Sequence, residues 1–172
     1  MKRIQTPLTE KIIKTLKSGD EVLLSGIIYT ARDAAHKRLI SNLKKLPFEI
    51  KGSVIYYTGP TPAKPGQVIG SCGPTSSYRM DKYTSELLKQ GLKATIGKGK
   101  RSKEVIDAMK KYKGIYFAAT GGIGALLSKC VKKAEIIAFS DLGCEAIYKL
   151  EVENMPLIVI NDIKGNDLYE NI

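Results

Sequence analysis

The sequence predicts an α/β fold, formed as a single domain over residues 1–172. Strand-like and helical periodicities alternate along the whole chain, which is the pattern of α/β proteins. A chain of 172 residues with 43% hydrophobic side chains can fill one core without a disulfide or a metal. No internal repeat, low-complexity tract or linker marks a second domain.

The first half of the chain predicts strands separated by helices. A strand over 21–29 follows the turn formed by Ser18, Gly19 and Asp20, and a helix over 31–46 stops before Pro47. A second strand over 54–58 leads into a loop rich in proline and glycine over 59–66, which we interpret as a stiff connector. A short strand over 68–71 and a helix over 78–90, stopped by Gly91, complete this half.

The second half repeats the alternation. Ser102 is a typical N-cap residue and predicts a helix that runs to Tyr112. The other predicted elements are strands over 93–96, 114–120, 134–139 and 156–162 and a helical stretch near 123–133.

The distribution of charged and apolar residues indicates which partners and which cellular location to expect. The formal charge of +11 would suit a nucleic-acid partner, but most of it is lysine scattered along amphipathic segments, which is typical of solvated helix faces. The charged amino-terminal stretch lacks the apolar run of a secretory signal, and the apolar run over 157–160 is too short to cross a bilayer. We therefore expect a cytoplasmic protein that binds neither nucleic acid nor a membrane.

The three cysteines, Cys72, Cys130 and Cys144, are widely separated and form no CxxC pair. Such spacing indicates neither a disulfide framework nor a self-contained metal site. We expect packing roles for these thiols and no metal bound by this chain alone.

The first candidate anion-binding loop covers residues 30–38. Thr30 and Asp33 have capping-box spacing, and Arg32 and His36 would share one face near the helix amino end. Free backbone amides and the positive end of the helix dipole favour a carboxylate there. The alternative is a capped helix with a surface arginine and a solvated histidine.

A second candidate loop, over 73–81, carries three adjacent hydroxyl residues, Thr75, Ser76 and Ser77. Pro74 suits a first helical position, and three hydroxyls exceed what one helix cap requires. A binding role and a purely structural role both remain open.

The third candidate loop covers residues 96–101. Gly97 and Gly99 would let the backbone approach a ligand, and Lys98 would supply a point charge. The segment lacks the spacing of a phosphate-binding P-loop, so a flexible basic turn is the alternative.

A glycine-rich segment over 121–127 follows a predicted strand and partly matches a dinucleotide-binding fingerprint. Leu127 stands where the third glycine or alanine belongs, so close strand-to-helix packing is the preferred interpretation. A nucleotide-binding or nucleic-acid-binding module remains the alternative from another functional class.

Several short motifs, taken in order, resemble the carboxy-terminal region of class I fumarases and L-tartrate dehydratases. They are ARDAAH (31–36), GPTSSYRMD (73–81), IGKG (96–99), GCEAI (143–147) and VINDIKGNDL (159–168). Tyr78 and Cys144 depart from the pattern, and neither replaces a residue with an expected role. The resemblance implies a swivelling β/β/α domain that closes a cleft against a partner.

The resemblance also implies a function. This chain would be the β subunit of a [4Fe-4S] hydro-lyase of the tricarboxylic acid cycle, fumarate hydratase or alternatively L-tartrate dehydratase. A separate α subunit would hold the cluster in a heterotetramer of two α and two β chains, acting on a small dicarboxylate. Arg32, Arg79 and Lys98 would bind the substrate carboxylates and Thr75 would transfer the proton, whereas His36 receives no chemical role.

Overall fold

The computed structural model describes residues 1–119 and 124–171, in which seven strands and five α-helices alternate. The strands are β1 (Lys2–Gln5), β2 (Glu21–Thr30), β3 (Val54–Tyr56), β4 (Ala94–Gly97), β5 (Ile115–Ala118), β6 (Val131–Ala138) and β7 (Ile147–Asn161). The helices are α1 (Glu10–Ile13), α2 (Asp33–Ser41), α3 (Asp81–Lys89), α4 (Lys103–Tyr112) and α5 (Gly124–Ser128). Short 3₁₀ turns occupy Ser77–Met80, Ser140–Glu145 and Leu168–Glu170.

The sheet closes on itself. Its strand order is β1-β2-β3-β4-β5-β7-β6, and an additional pairing joins β2 to β7. Strands β1 to β5 pair in parallel, whereas β7 runs antiparallel to β2, β5 and β6. Strands β2, β3, β4, β5 and β7 therefore form a closed ring.

Alternate residues of the ring strands point to two different cores. In β3 and just after it, Val54 and Tyr56 belong to the inner cluster, whereas Ile55 and Tyr57 belong to the outer one. The outer cluster includes Leu39 of α2, together with buried residues of α3 and α4. Helices α2, α3 and α4 thus pack against the outer side of the closed sheet, which gives β/β/α layers and confirms the predicted α/β class.

Most predicted elements are present. Some of them begin or end at a different residue from the one predicted. The Ser102 cap is confirmed, since its hydroxyl accepts a hydrogen bond from the Val105 amide. Helix α2 ends at Ser41 rather than residue 46, because Asn42 leaves the helical region with φ −146° and ψ 66°. The predicted helix over 78–90 begins as a 3₁₀ turn and becomes α-helical only at Asp81.

Three other predicted elements need larger corrections. The strand over 68–71 is wrong, because the Ser71 carbonyl bonds back to the Thr61 amide inside a loop. The helix near 123–133 is too long, since β6 already begins at Val131. The strand over 156–162 is the end of β7, which starts at Ile147. No helix in the described part of the chain is long and apolar enough to cross a membrane.

The parallel strands bring the three predicted loops to one edge. Because β2, β3 and β4 are parallel, their carboxyl ends, Thr30, Tyr56 and Gly97, lie at the same edge of the sheet. Arg32 follows the first of these ends and Lys98 follows the third. The fold therefore places the candidate residues where α/β proteins commonly bind ligands.

Candidate functional site

Thr75 and Lys98 are neighbours through their backbones. The Lys98 amide donates to the Thr75 carbonyl at 3.3 Å, and the Thr75 amide donates to the Tyr57 carbonyl at 2.7 Å. The Ser77 amide in turn donates to the Lys98 carbonyl at 2.9 Å. The hydroxyl-rich segment is thus inserted between the ends of β3 and β4, with Thr75 half-buried and Lys98 exposed.

Arg79 and Arg32 are linked through Asp33. Arg79 lies in the 3₁₀ turn that begins at Ser77, and its Nη2 donates to Asp33 Oδ2 at 2.5 Å. Asp33 is the first residue of α2 and directly follows Arg32. Each partner in this ion pair is more than one-third exposed, so the pair is accessible to a ligand from solvent.

The Arg32 side chain is largely buried but retains hydrogen-bonding capacity. Its Nε lies 3.9 Å from Glu145 Oε1, beyond hydrogen-bond distance, and has no hydrogen-bond partner among the described residues. A Cβ atom added at Gly59 would lie 3.1 Å from Arg32 Cδ and 3.2 Å from Nη1. Gly59 therefore makes room for this guanidinium, a role that the glycine-rich loop did not reveal in the sequence.

The predicted capping box at Thr30 is wrong. Arg32 is the N-cap residue of α2, and none of the side chains that the structure describes caps the helix there. Thr30 Oγ1 instead accepts from the Tyr148 amide at 3.1 Å and lies 3.4 Å from the Ala146 carbonyl, so it joins β2 to β7. The capping box does not form because the Thr30 hydroxyl is engaged in a sheet contact with residues distant in sequence.

His36 is buried, so the alternative of a solvated histidine is also wrong. Its side chain has no exposed surface, and Nδ1 lies 2.8 Å from the Arg32 carbonyl oxygen. Burial lowers the pKa of His36 to about 4, even though the hydrogen bond to that carbonyl acts in the opposite direction. The imidazole is therefore neutral near pH ~7.

The first turn of α2 leaves several polar atoms open. Arg32 Nε, Asp33 Oδ1 and His36 Nε2 are buried without a hydrogen-bond partner in the part of the chain that the structure describes. Buried polar groups in proteins are nearly always paired with protein, water or ligand. Arg32 and Asp33 have partly exposed side chains and support a bound partner at the amino end of α2, whereas the fully buried His36 lies out of reach of such a partner.

The two glycines of the third loop have different roles. A side chain at Gly97 would collide with the Ser77 side chain, so this glycine serves packing between the loop and the 3₁₀ turn. Gly99 has φ +81°, in the left-handed region that favours glycine, and nothing surrounds its Cβ position. The prediction that both glycines admit a ligand is therefore wrong for Gly97.

Arg101, at the end of the same loop, is a buried structural residue that sequence reasoning missed. Its Nε donates to Asp81 Oδ1 at 2.7 Å, and Nη1 donates to the Tyr57 hydroxyl at 3.1 Å and to Thr95 Oγ1 at 3.0 Å. Its Nη2 donates to Thr84 Oγ1 at 2.7 Å. Arg101 thus joins α3, β4 and the end of β3 beneath the candidate site.

The hydroxyl segment is not a helix cap in the usual sense. Ser76 is the N-cap of the 3₁₀ turn, but its side chain accepts no cap hydrogen bond. Ser77 Oγ is bound to the Tyr116 hydroxyl at 2.8 Å. Pro74 precedes the turn instead of opening it, so that prediction is wrong.

The cysteines do not form a cluster site. Cys72 is buried, Cys130 is partly buried and Cys144 is exposed, so the predicted packing role is confirmed for Cys72 and wrong for Cys144. Burial raises the pKa of the Cys72 thiol to about 11, which disfavours the thiolate needed to bind iron. Within residues 1–119 and 124–171, no three His, Cys, Asp or Glu side chains gather as metal ligands.

Residues 121–123 of the glycine-rich segment over 121–127, which partly matched a dinucleotide fingerprint, lie outside the described residues. Its last glycine, Gly124, opens α5 and packs against the Gly73 backbone, since an added Cβ would lie 2.6 Å from the Gly73 nitrogen. Close packing accounts for this glycine.

A groove of about 470 Å³ runs beside Lys98, but Arg32, Arg79 and Thr75 do not line it. It is formed mainly by apolar residues of β2, β5 and β7. The candidate site is therefore the exposed edge that carries the cations, and not this groove.

The chain is thus an α/β domain that carries candidate cations near the carboxyl ends of parallel strands, where proteins of this class commonly bind ligands. Residues 2–172 match the family described as Fumarase C-terminus, and the chain belongs to this family. The resemblance drawn from the sequence motifs is thereby confirmed.

Relatives of the chain include a tartrate dehydratase subunit and two fumarate hydratases. The chain is 45% identical over 174 residues to a Methanocaldococcus jannaschii protein provisionally named L(+)-tartrate dehydratase subunit beta, covering 96% of this chain and 89% of that protein. It is 43% identical over 156 residues to Fumarate hydratase 2 of Leishmania major, covering 88% of this chain and 28% of that protein. It is 40% identical over 177 residues to the aerobic class I fumarate hydratase of Escherichia coli, covering 100% of this chain and 31% of that protein. The chain thus spans under one-third of the two fumarate hydratases.

Proposed function

We propose that the chain is the β subunit of a two-subunit hydro-lyase, most simply a fumarate hydratase that interconverts fumarate and L-malate. Two kinds of relatives support this proposal. Fumarate hydratases contain a region similar to the whole chain or most of it, and a protein of nearly the same length is named as a subunit beta. In this proposal the chain assembles with a separate α subunit into a heterotetramer of two α and two β chains in the cytoplasm.

The observation that carries the proposal is a set of backbone hydrogen bonds and one ion pair that connects the segments of the four candidate residues at one sheet edge. Thr75 and Lys98 share a backbone hydrogen bond, and Ser77, bound to Lys98, begins the turn that carries Arg79. Arg79 pairs with Asp33, the residue after Arg32. A dicarboxylate is a suitable ligand for three cations so arranged, because guanidinium groups bind carboxylates through paired hydrogen bonds.

In this proposal the cations both bind and activate the substrate. Removing the proton from the carbon next to a carboxylate places negative charge on that carboxylate. Arg32, Arg79 and Lys98 would stabilise this charge as it develops, acting as preorganised electrostatic groups. They would also hold the dianion in one orientation for water addition or loss.

Thr75 is the proposed proton-transfer residue of this chain. Its backbone is held at both its amide and its carbonyl, which fixes the position of this residue at the sheet edge. A threonine hydroxyl is intrinsically a very weak base, and it therefore requires activation by a stronger base supplied by the partner subunit. Closure of a swivelling cleft would exclude bulk water from this step.

The [4Fe-4S] cluster belongs to the partner in this proposal, since the cysteines of this chain do not fit a cluster site. An iron with an open position would supply Lewis-acid chemistry at the substrate hydroxyl. Every role assigned to this chain concerns carboxylate binding and proton transfer.

Reconstitution tests the proposal. The purified chain should be colourless and inactive by itself, and fumarate hydration should appear only after mixing with a cluster-loaded α subunit. Formation of L-malate can be followed as the loss of fumarate absorbance. Iron–sulfide absorption in stoichiometric amount, or turnover of fumarate by this chain alone, would overturn the assignment.

L-tartrate dehydratase is the second candidate, because the relative at 45% identity and nearly equal length bears that name. Loss of water from L(+)-tartrate gives an enol that becomes oxaloacetate. The reconstituted complex should be assayed with L-malate and L(+)-tartrate side by side, and the substrate with the higher kcat/KM identifies the enzyme.

A further inference from the structure

His36 is the only histidine of the chain and contacts the candidate site through its backbone. Its amide donates to the Arg32 carbonyl at 2.9 Å, and its Nδ1 lies 2.8 Å from the same oxygen. A carbonyl oxygen can only accept, so Nδ1 must carry the hydrogen. Nε2 is then the unprotonated nitrogen of a buried neutral ring.

Two tyrosine rings fix the plane of this imidazole. Tyr57 meets it edge-on, with ring centroids 5.4 Å apart and an interplanar angle of 66°, and Tyr83 stacks on it at 5.8 Å and 25°. The Tyr57 carbonyl also accepts the hydrogen bond from the Thr75 amide. His36 therefore lies between the segment that carries Arg32 and the strand end that holds Thr75.

We propose that His36 is a positioning residue that holds Arg32 in the orientation required for carboxylate binding. Arg32 is the N-cap of α2 and has an extended backbone, with φ −112° and ψ −161°. The Arg32 carbonyl receives two contacts from His36, one from the backbone amide and one from Nδ1. The contact from Nδ1 adds a side-chain restraint on the backbone of Arg32, from which its guanidinium side chain extends.

The unpaired Nε2 atom indicates that the hydrogen bond from Nδ1 is the reason for a histidine at position 36. This atom has no hydrogen-bond partner among the described residues, and an unpaired buried nitrogen carries a desolvation cost. An apolar side chain of similar shape would avoid that cost. The donor at Nδ1 therefore accounts for a histidine at this position, and complete burial separates His36 from any direct contact with substrate.

The first test needs no enzyme activity. Nitrogen NMR of the full chain should show a single imidazole with a protonated Nδ1 and an unprotonated Nε2, unchanged between about pH 5 and 8. Protonation at Nε2 alone, or titration near the ordinary histidine pKa, would overturn the proposal.

The second test compares two variants, again without substrate. His36→Asn keeps an N–H donor near the position of Nδ1, whereas His36→Leu removes it. The Nε–H signal of Arg32, one of only five arginines, should shift in His36→Leu and remain close to wild type in His36→Asn. The Arg38 signal is the matched control. An Arg32 signal unchanged in both variants would overturn the proposal.

The third test rests on the proposed function and uses the reconstituted complex. His36→Leu should raise the KM for the dicarboxylate by about tenfold with a smaller change in kcat, and His36→Asn should recover most of the loss. Equal impairment in both variants would indicate a general packing role and overturn the proposal. If the wild-type complex turns over neither substrate, the proposed function fails, while the NMR measurements still decide whether His36 positions Arg32.

Discussion

Arg79 Nη2 lies 2.5 Å from Asp33 Oδ2, and this ion pair joins the 3₁₀ turn after Ser76 to the first turn of α2. Because both side chains are more than one-third exposed, the pair should contribute little to stability. Its importance is geometric. Asp33 engages one side of the guanidinium and leaves the other nitrogens of the fork for a ligand.

We therefore predict that Arg79→Lys impairs catalysis although it preserves the charge. A single ammonium group cannot bind Asp33 and also present a planar fork to a carboxylate. We expect kcat/KM of the reconstituted enzyme to fall by roughly 10- to 100-fold. Lys100→Ala, which changes an exposed cation of the neighbouring loop, should have a mild effect. Equal losses in the two variants would indicate general cationic attraction and remove Arg79 from the site.

The roles of Thr75 and Arg32 should be separable by steady-state kinetics. A proton-transfer group acts chiefly in the transition state, whereas a carboxylate-binding group also stabilises the bound substrate. Thr75→Val should lower kcat with little change in KM, Thr75→Ser should retain more activity, and Arg32→Met should raise KM as well. Wild-type turnover by an intact complex containing Thr75→Val would assign the base to the partner.

Removal of Arg101 should destabilise the fold strongly. Its side chain is fully buried and pairs with Asp81, whose side chain is 15% exposed. Arg101→Met removes the cation that pairs with Asp81 and the donor to three hydroxyl groups. Breaking a buried ion pair in this way costs about 3–5 kcal/mol in the free energy of unfolding. Urea unfolding measures this change. Arg38→Met, at an exposed ion pair with Asp141, should change stability little and serves as the control.

Burial of His36 should make the chain sensitive to acid. The pKa of His36 is about 4 in the folded chain and 6.5 in a model peptide, so between these values the unfolded chain binds a proton that the folded chain does not. The stability due to the neutral ring is full above pH ~6.5 and is lost as the pH falls towards the folded pKa. We expect a loss of about 2 kcal/mol between pH 7 and pH 5.

His36→Asn provides the comparison, because it removes the titrating group and keeps the carboxylates common to both proteins. Urea unfolding at the two pH values should show a smaller loss for this variant. An identical loss in both proteins would mean that His36 contributes nothing to acid sensitivity.

Local signals predicted those parts of the fold that depend on nearby residues. Ser102 caps α4 through a bond within its own first turn, so its sequence position was sufficient to predict it. Thr30 had an equally suitable spacing, but its hydroxyl bonds to a strand more than a hundred residues away. Polar residues such as Glu153 and Asn154 interrupt the apolar pattern along β7, so the first part of this strand was not predicted. Contacts distant in sequence explain these failures.

The same distinction applies to the candidate site. The motifs named Arg32, Arg79, Lys98 and Thr75 as candidates but could not place them near one another. The parallel pairing of β2, β3 and β4, seen only in the structure, brings their segments to one edge of the sheet. Neither Gly59 nor Arg101 could be assigned, because their roles depend on packing against segments distant in sequence. His36 was part of a motif, but its proposed positioning role follows from its burial. Residue spacing in the sequence does not reveal burial.

Closure of the ring by β7 has a consequence for synthesis of the protein. Strand β2 must wait for a partner that lies 118 positions later, as the bond between Thr30 and Tyr148 illustrates. During translation one edge of β2 therefore remains without its native neighbour until β7 has left the ribosome. Such a non-local topology favours slow folding and leaves an open strand edge exposed to aggregation, so the nascent chain should benefit from chaperone protection.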